Sequence, residues 1–326
     1  MSLLEDARRL ADDLLRPAAE QVDRTQVPRS HLDALAAAGL VGLTGPEARP
    51  IVEIIAGACA ATWFVLTQHA TPLAVLAESD NLALQERLLA PMLAGEILSG
   101  IAIAHLRRPV SPVSATRLAG SWRFDGTVSW MTGWGLCDVV LLCARSGNQV
   151  VQALVPAVAG PGLTPGPPLP LLAMQATGTV TLDLDGYVVH DADVVAVHDY
   201  ATWAEKDREK AVDVTPAVFG VQRESVRLLR ERAPALAFRL GGEGDRLRAK
   251  AYAAIGDASR YDERLALRVE ALALCLRSAT ALVIATGGAA MALDHPAQRH
   301  LREAAFLQVQ GQTPALRAAM IDAFDT

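Results

Sequence analysis

The sequence predicts a mostly α-helical protein with a small β-domain in its middle. It divides into a helical N-terminal domain over 1–99, a β-domain over 100–200 and a helical bundle over 201–326. Three observations predict this. Apolar residues recur at helical spacing in the first and last thirds, as in Leu3, Leu4, Ala7, Leu10, Ala11 and Leu14. Between about 100 and 200 the pattern changes to alternation punctuated by Gly and Pro. The length, 326 residues, exceeds what one small core needs.

In the first part a helix covers the region of Leu3 to Leu14. A second is expected to start at Ser30, with Asp33 three residues on as a capping-box partner. It stops at Gly39, before the breakers Gly42, Gly45 and Pro46. Ile51 to Ala77 and Leu82 to Leu93 read as two further, mostly buried helices. The β-domain follows. Trp122 to Val128 alternates, with Asp125-Gly126 as a turn signal. Val139 to Ala144 and Val150 to Val155 are short apolar strands around Ser146-Gly147-Asn148. Pro156 to Pro170 is loop, Thr179 to Leu184 alternates again, and Tyr187 to Val197 holds two β-rich pieces. Helices are then expected over Val218 to Arg232, Arg246 to Ile255, Asp262 to Met291 and Pro296 to Phe324. Gly241-Gly242-Glu243-Gly244 separates the first two, and Gly287-Gly288 can end the third early.

Composition excludes several functions. With 51% hydrophobic and 20% charged residues the chain is globular rather than disordered. A net charge of −6 argues against non-specific nucleic-acid binding, which needs a basic face. Arg223 to Arg232 reads as a solvated helix side. No apolar leader opens the chain, and Ser278 to Leu293 is too short for a membrane span and reads as a buried core helix. The four cysteines, Cys59, Cys137, Cys143 and Cys275, lack metal-ligand spacing and read as reduced, packed thiols of a cytoplasmic protein. No zinc, Walker or nucleophile-elbow pattern is present.

Four segments, in order, resemble the acyl-CoA dehydrogenase family over nearly the whole chain. They are Leu35 to Thr44, Phe124 to Gly133, the run from Leu154-Val155-Pro156 through Ala173 to Thr177 and Val180 to Val189, and Gly287-Gly288 with His295 to Arg299 and Arg302 to Ala304. The resemblance implies that family's three-domain fold: α-helical, β-barrel, then α-helical bundle. It also implies an FAD enzyme that oxidises an acyl-CoA thioester between its α and β carbons. A carboxylate takes the α-proton and flavin N5 takes the β-hydride, so the reaction needs a desolvated base and donors aimed at the thioester oxygen. The implied partners are acyl-CoA or a related small molecule, an electron-transfer flavoprotein, and further copies of the chain in a homodimer or homotetramer. Assembly would run through the last domain, where apolar stretches such as Leu272 to Leu282 need covering.

Carried over residue by residue, Trp130 and Thr132 fall on flavin-contacting positions, with Met131 and Gly133 offering backbone beside them. Trp130 also reads as an ordinary core tryptophan at a strand end. Ser111 stands for a serine of the loop entering the β-domain, which here reads Ala104-His105-Leu106-Arg107-Arg108-Pro109-Val110-Ser111 and is shorter. His105 is a donor, a base, a ligand or a structural residue, and Arg107 and Arg108 meet a phosphate or are solvated. Gly287 and Gly288 could let backbone approach a phosphate or could serve packing.

The sequence departs from the family at decisive places. Gln310 occupies the position of the catalytic Glu, and an amide has no basic form. Glu209 and Asp213 lie near an alternative base position, or are surface carboxylates. Phe238 to Gly244 lacks the family's Arg-x-x-Phe-Gly, and Ile284 replaces a Gln that precedes the glycine pair. The first domain is short after Gly45, which leaves the acyl pocket truncated or more open. Three readings stand: a flavin-dependent dehydrogenase, a degenerate binding or partner subunit of the same fold, and a flavin-dependent monooxygenase that does not need the Glu.

Overall fold

The computed structural model describes residues 2–324. Its first helix, α1 (Leu3–Leu10), begins on a capping box: Ser2 Oγ accepts from Glu5 N at 3.3 Å and the Glu5 carboxylate accepts from Ser2 N at 2.8 Å. A π-turn over Ala11–Leu15 carries it into α2 (Arg16–Arg24), and the joined rod buries Ala7, Leu15 and Ala19. α3 (Arg29–Ala37) starts before Ser30, behind Pro28. The expected box with Asp33 does not form, because Asp33 accepts from Arg29 Nε at 2.9 Å. The expected helix from Ile51 to Ala77 is two, α4 (Ala48–Ala58) and α5 (Ala60–Ala77). Cys59 at φ −152° interrupts the ladder between them. α6 (Leu82–Leu93) completes the first domain, capped by Asn81.

Eight strands form one mixed sheet: β1 (Ser99–Ala102), β2 (Val113–Leu118), β3 (Ser121–Met131), β4 (Val139–Ser146), β5 (Gln149–Pro156), β6 (Leu163–Pro165), β7 (Val180–His190) and β8 (Val194–Asp199). The order is β6-β7-β3-β2-β4-β5-β8, with β1 parallel to β4. Asp125-Gly126 is not a turn. β3 runs through it as a bulge against β7, and the hairpin closes instead between Leu118 and Ser121. Gly126 is required there, since its φ is 119° and a Cβ would lie 1.9 Å from the Pro112 carbonyl oxygen.

The last part holds α7 (Tyr200–Lys210), α8 (Pro216–Leu229), α9 (Pro234–Ala254), α10 (Tyr261–Thr286), α11 (Pro296–Leu307) and α12 (Pro314–Asp322). Gly241 to Gly244 does not break the chain but lies inside α9. Gly244 is there for packing, because a Cβ would meet the Gln222 side chain at 2.7 Å. Gly287, at φ 72°, does end α10, as expected.

Three hydrophobic cores result. The largest joins the first and last helical domains into one body, from Ala7 through Phe219 to Leu316. The second fills the sheet around Phe124, Met131 and Leu182. The third lies between α5, α6, β4 and β5 and is closed by α7 through Tyr200 and Trp203. His69 stitches the first domain to the sheet. Its Nε2 donates to Met92 O at 2.9 Å, which leaves Nδ1 to accept from Ser99 N at 3.0 Å and from Ser99 Oγ at 2.9 Å. α4 and α8 cross in backbone contact. A Cβ on Gly57 would lie 2.8 Å from Gly220 O, and one on Gly220 would lie 2.3 Å from Glu53 O.

One stretch over Ala258–Met291, containing α10, is long and apolar enough to cross a membrane by length and composition alone. The sequence reading makes Ser278 to Leu293 a buried core helix, but the structure leaves part of it exposed. Leu282 is 1% exposed, but Ile284, Met291 and Leu293 are 75%, 63% and 63% exposed. Leu272, Leu274 and Leu282 need no partner chain, because α8, α9 and α11 already cover them. The uncovered apolar surface lies on the other side of α10.

Candidate functional site

The segment that resembles the flavin-contacting strand is the end of β3. Trp130 is half exposed, while Met131 and Thr132 point inward. Met131 is fully buried, its methyl close to Gly100, so its side chain is core. The backbone just beyond is consumed. Gly133 N donates to Thr177 O at 2.9 Å and Trp134 N to Gly178 O at 3.1 Å. Gly133 O accepts from both Leu136 N and Cys137 N. Gly178 is left-handed, at φ 60°, and a Cβ there would strike Trp134 O at 2.7 Å. Met174, the one non-glycine residue with positive φ among those described, turns the chain into this segment.

Three threonines then form a chain whose polarity can be worked out by counting hydrogens. Thr177 Oγ1 donates to Met174 O at 2.8 Å, which spends its only hydrogen. The 2.9 Å contact between Thr177 and Thr179 must therefore be donated by Thr179. Thr132, 3.0 Å from Thr179, must donate in turn. Thr132 thus turns its hydrogen into the protein and offers only lone pairs outward. The sequence carries Thr177 and Thr179 in plain view at i, i+2, but their relation to Thr132, 47 residues away, is tertiary.

Ser111 Oγ donates to Val113 O at 2.9 Å and accepts from Val113 N at 3.3 Å, a closed local turn. His105 is not a base. It is 3% exposed, its Nε2 donates to Cys143 O at 2.8 Å, and burial pushes its pKa down to about 4, so it is neutral. Its Nδ1 is buried without a partner. Arg107 binds Asp207 through two bonds of 2.7 and 2.8 Å, and Arg108 donates to Ser129 Oγ at 3.2 Å. Glu209 and Asp213 are both ion-paired. Arg264, its side chain 3% exposed, holds both, at 3.3 and 2.7 Å.

Gln310 lies in the turn after α11, its N–H on Phe306 O at 3.1 Å. Its carbonyl accepts from Arg268 Nη2 at 2.8 Å, and Arg268 also donates to Ala211 O. Burial lowers the Arg268 pKa to about 10. Gly287 and Gly288 are exposed, and a Cβ on either would meet nothing. The Phe238 to Gly244 region is helix rather than loop. No hydrogen bond among the described residues joins Trp130–Gly133 to Gly287, Gly288 or Gln310. The arginines that do this anchoring were missed in the sequence. Their signal is Arg264 and Arg268, one turn apart on the same face as the buried Leu267, Ala271 and Leu272.

A second buried ionic cluster holds α11 to the rod and the first core. Arg299 meets Glu20 at 3.0 Å and Glu303 at 2.7 Å, and His300 Nδ1 lies 2.8 Å from Glu303. Burial alone would push the Glu303 carboxyl up, but Arg299 and His300 hold it below the usual range. These pairs tie α11 to α2 and fasten the two together.

Compared with known proteins, this architecture is the acyl-CoA dehydrogenase fold. Over 99% of its length the chain superposes on butyryl-CoA dehydrogenase from Megasphaera elsdenii, with a TM-score of 0.82, 16% identity and 97% of that chain covered. It superposes equally on a glutaryl-CoA dehydrogenase from Mycobacterium smegmatis in complex with FADH2, with a TM-score of 0.82, 15% identity, and 99% and 93% of the two chains covered. Acyl-CoA dehydrogenase from Geobacillus kaustophilus gives 0.82, 14% identity, and 99% and 97%. No protein-family model and no curated protein matches the sequence.

FAD fits these residues poorly. Oxidised flavin N5 is an acceptor, yet the Thr132 hydroxyl has no hydrogen to give it. The Ser111 hydroxyl and the Gly133 N–H are spent on the chain itself. Ile284, where the family has a Gln, is an exposed hydrocarbon. The half-exposed ring of Trp130 remains free to cover a flat ligand edge.

Proposed function

We propose that this chain is an acyl-CoA dehydrogenase-fold subunit that does not dehydrogenate and acts as a binding partner for another chain of that fold. The observation that carries the reading is the inward polarity of Thr132, fixed by Thr179, Thr177 and Met174. Gln310 and the arginine-bound Glu209 and Asp213 supply no base. The backbone contact of α4 on α8 also leaves no passage for an acyl chain at that crossing. An electron-transfer flavoprotein has no task in this reading, because no flavin is reduced.

The docking face is the uncovered side of the C-terminal bundle. A groove of about 1030 Å³ runs between α9, α10 and α12. Phe238, Ile284 and Phe324 stand 84%, 75% and 88% exposed along it. Side chains of this size are rarely left in water together unless another surface covers them. The occupant we assign is a second copy of this chain, since the same patch on two copies can close a two-fold dimer.

The test is a visible spectrum of the purified protein after incubation with excess FAD and desalting, with the mass in solution measured by light scattering. The expected result is no flavin band and a dimeric or tetrameric mass that falls to the monomer in Phe238→Asp with Ile284→Glu. A retained flavin band bleached by an acyl-CoA would overturn the reading in favour of an FAD-dependent dehydrogenase. A band bleached by a reductase and restored by oxygen would favour the monooxygenase.

A further inference from the structure

On the opposite side of α8 from that groove, α1, α4 and α8 enclose a cleft of about 360 Å³. Five arginines line it: Arg8, Arg16, Arg223, Arg227 and Arg230. Three carboxylates, Asp12, Glu53 and Glu224, line it with them, and Asp245 lies 4.0 Å from Arg223, so arginines outnumber carboxylates here in a chain whose net charge is −6. The two glutamates are 4% and 7% exposed and lie at its base. Glu224 takes Arg16 Nε at 2.9 Å and Arg227 through Nε and Nη2 at 3.0 and 2.7 Å. Glu53 takes Arg223 Nη1 at 3.0 Å, Tyr252 Oη at 2.6 Å and Arg248.

Each buried carboxylate therefore grips one edge of a guanidinium and leaves the other edge turned outward. Arg227 keeps Nη1 free, and Arg223 keeps Nη2 with only a 4.0 Å neighbour in Asp245. At the rim, Arg8 and Arg230 have no carboxylate partner among the described residues. A planar guanidinium fork with an unused edge matches phosphate oxygens two at a time, and preorientation removes much of the side-chain entropy lost on binding. An apolar ligand does not suit an arginine-lined cleft.

We propose that this cleft is a binding site for the diphosphate of a small soluble ligand, with Arg8, Arg227 and Arg230 as its principal contacts. The site lies on the first core, apart from the residues of the flavin-like strand, and does not depend on whether the chain dehydrogenates.

The experiment is isothermal titration of the full chain with inorganic pyrophosphate at low ionic strength. Phosphatidylglycerol vesicles are run in parallel, because lipid headgroups carry the same chemistry. The expected result is one saturable site per chain, weakened about tenfold in Arg230→Ala and again in Arg8→Ala, as expected for loss of one charge-assisted contact each. Both side chains lack ion-pair partners in the fold, so these variants keep their structure, checked by circular dichroism. Arg123→Ala, on the β-domain, is the control and binds like the wild type. Absence of saturation overturns the proposal, as does equal affinity in all variants. Binding to vesicles without binding of free pyrophosphate also overturns it, and assigns the face to a lipid surface.

Discussion

The contact between α4 and α8 sets up a test with opposite signs at two glycines. A Cβ on Gly220 would stand 2.3 Å from Glu53 O and 3.0 Å from Glu53 Cα, all backbone atoms that cannot rotate away. Restoring ordinary contact requires the helices to part by about 1 Å, and overpacking of that kind costs roughly 2–3 kcal/mol. Alanine is a better helix former than glycine by about 0.8–1 kcal/mol, which offsets part of this. Gly220→Ala is therefore expected to destabilise the protein by about 1–2 kcal/mol. Gly241, inside α9, has only Val226 Cγ1 nearby, at 3.6 Å, which is ordinary contact. Gly241→Ala keeps the propensity gain and should stabilise by roughly 0.5–1 kcal/mol. Urea unfolding followed by tryptophan fluorescence reads both, with circular dichroism to confirm coincident transitions. If Gly220→Ala were as stable as Gly241→Ala, the two backbones would not touch, and the argument that an acyl chain cannot pass this crossing would fall with the contact.

Three further expectations concern pH, thiols and the ionic fastening. His31, His69 and His105 all have pKa values lowered by burial, so the unfolded chain protonates first and stability falls as pH drops below 6.5. For His105 the loss continues to about pH 4 and amounts to about 3 kcal/mol. His105→Gln, which keeps a donor for Cys143 O, should flatten the pH 4–6.5 slope of the unfolding free energy, and an unchanged slope refutes the assignment. All four cysteines are free and buried, and burial pushes Cys137 and Cys143 up to about 12. A thiol reagent at pH 8 should label none in the native protein and four in urea, whereas rapid native labelling would contradict that burial. Glu303→Gln leaves Arg299, whose side chain is 3% exposed, with Glu20 as its one carboxylate partner among the described residues, and should cost roughly 1–3 kcal/mol, read as a lowered urea midpoint.

The three-part order was legible because it is written in periodicity, which composition and turns reinforce. Local details failed where a tertiary contact overruled a local signal. Asp125-Gly126 looks like a hairpin turn, but the strand continues because Pro112 comes too close for any side chain and the bulge needs a positive φ. Gly241 to Gly244 looks like a break, but one of its glycines is there to let Gln222 in. At the candidate site the sequence located the strand end. The direction of the Thr132 hydrogen depends on two hydroxyls and a carbonyl that only the fold brings together. The arginine-lined cleft was hidden for another reason. Arg223 to Arg232 reads as a solvated helix side, and nothing local says that buried glutamates on two helices organise it.

Arg268 has a consequence for how this chain could change over generations. One guanidinium ties Ala211, at the exit from α7, to Gln310, in the last turn before α12. A single codon change could place a glutamate at position 310. The Arg268 contact is to the backbone carbonyl, so it would survive that change whatever the new side chain did. Any later change at Arg268 would release both ends at once, freeing the exit from α7 together with the turn that carries residue 310. The two segments are therefore expected to vary together rather than one at a time.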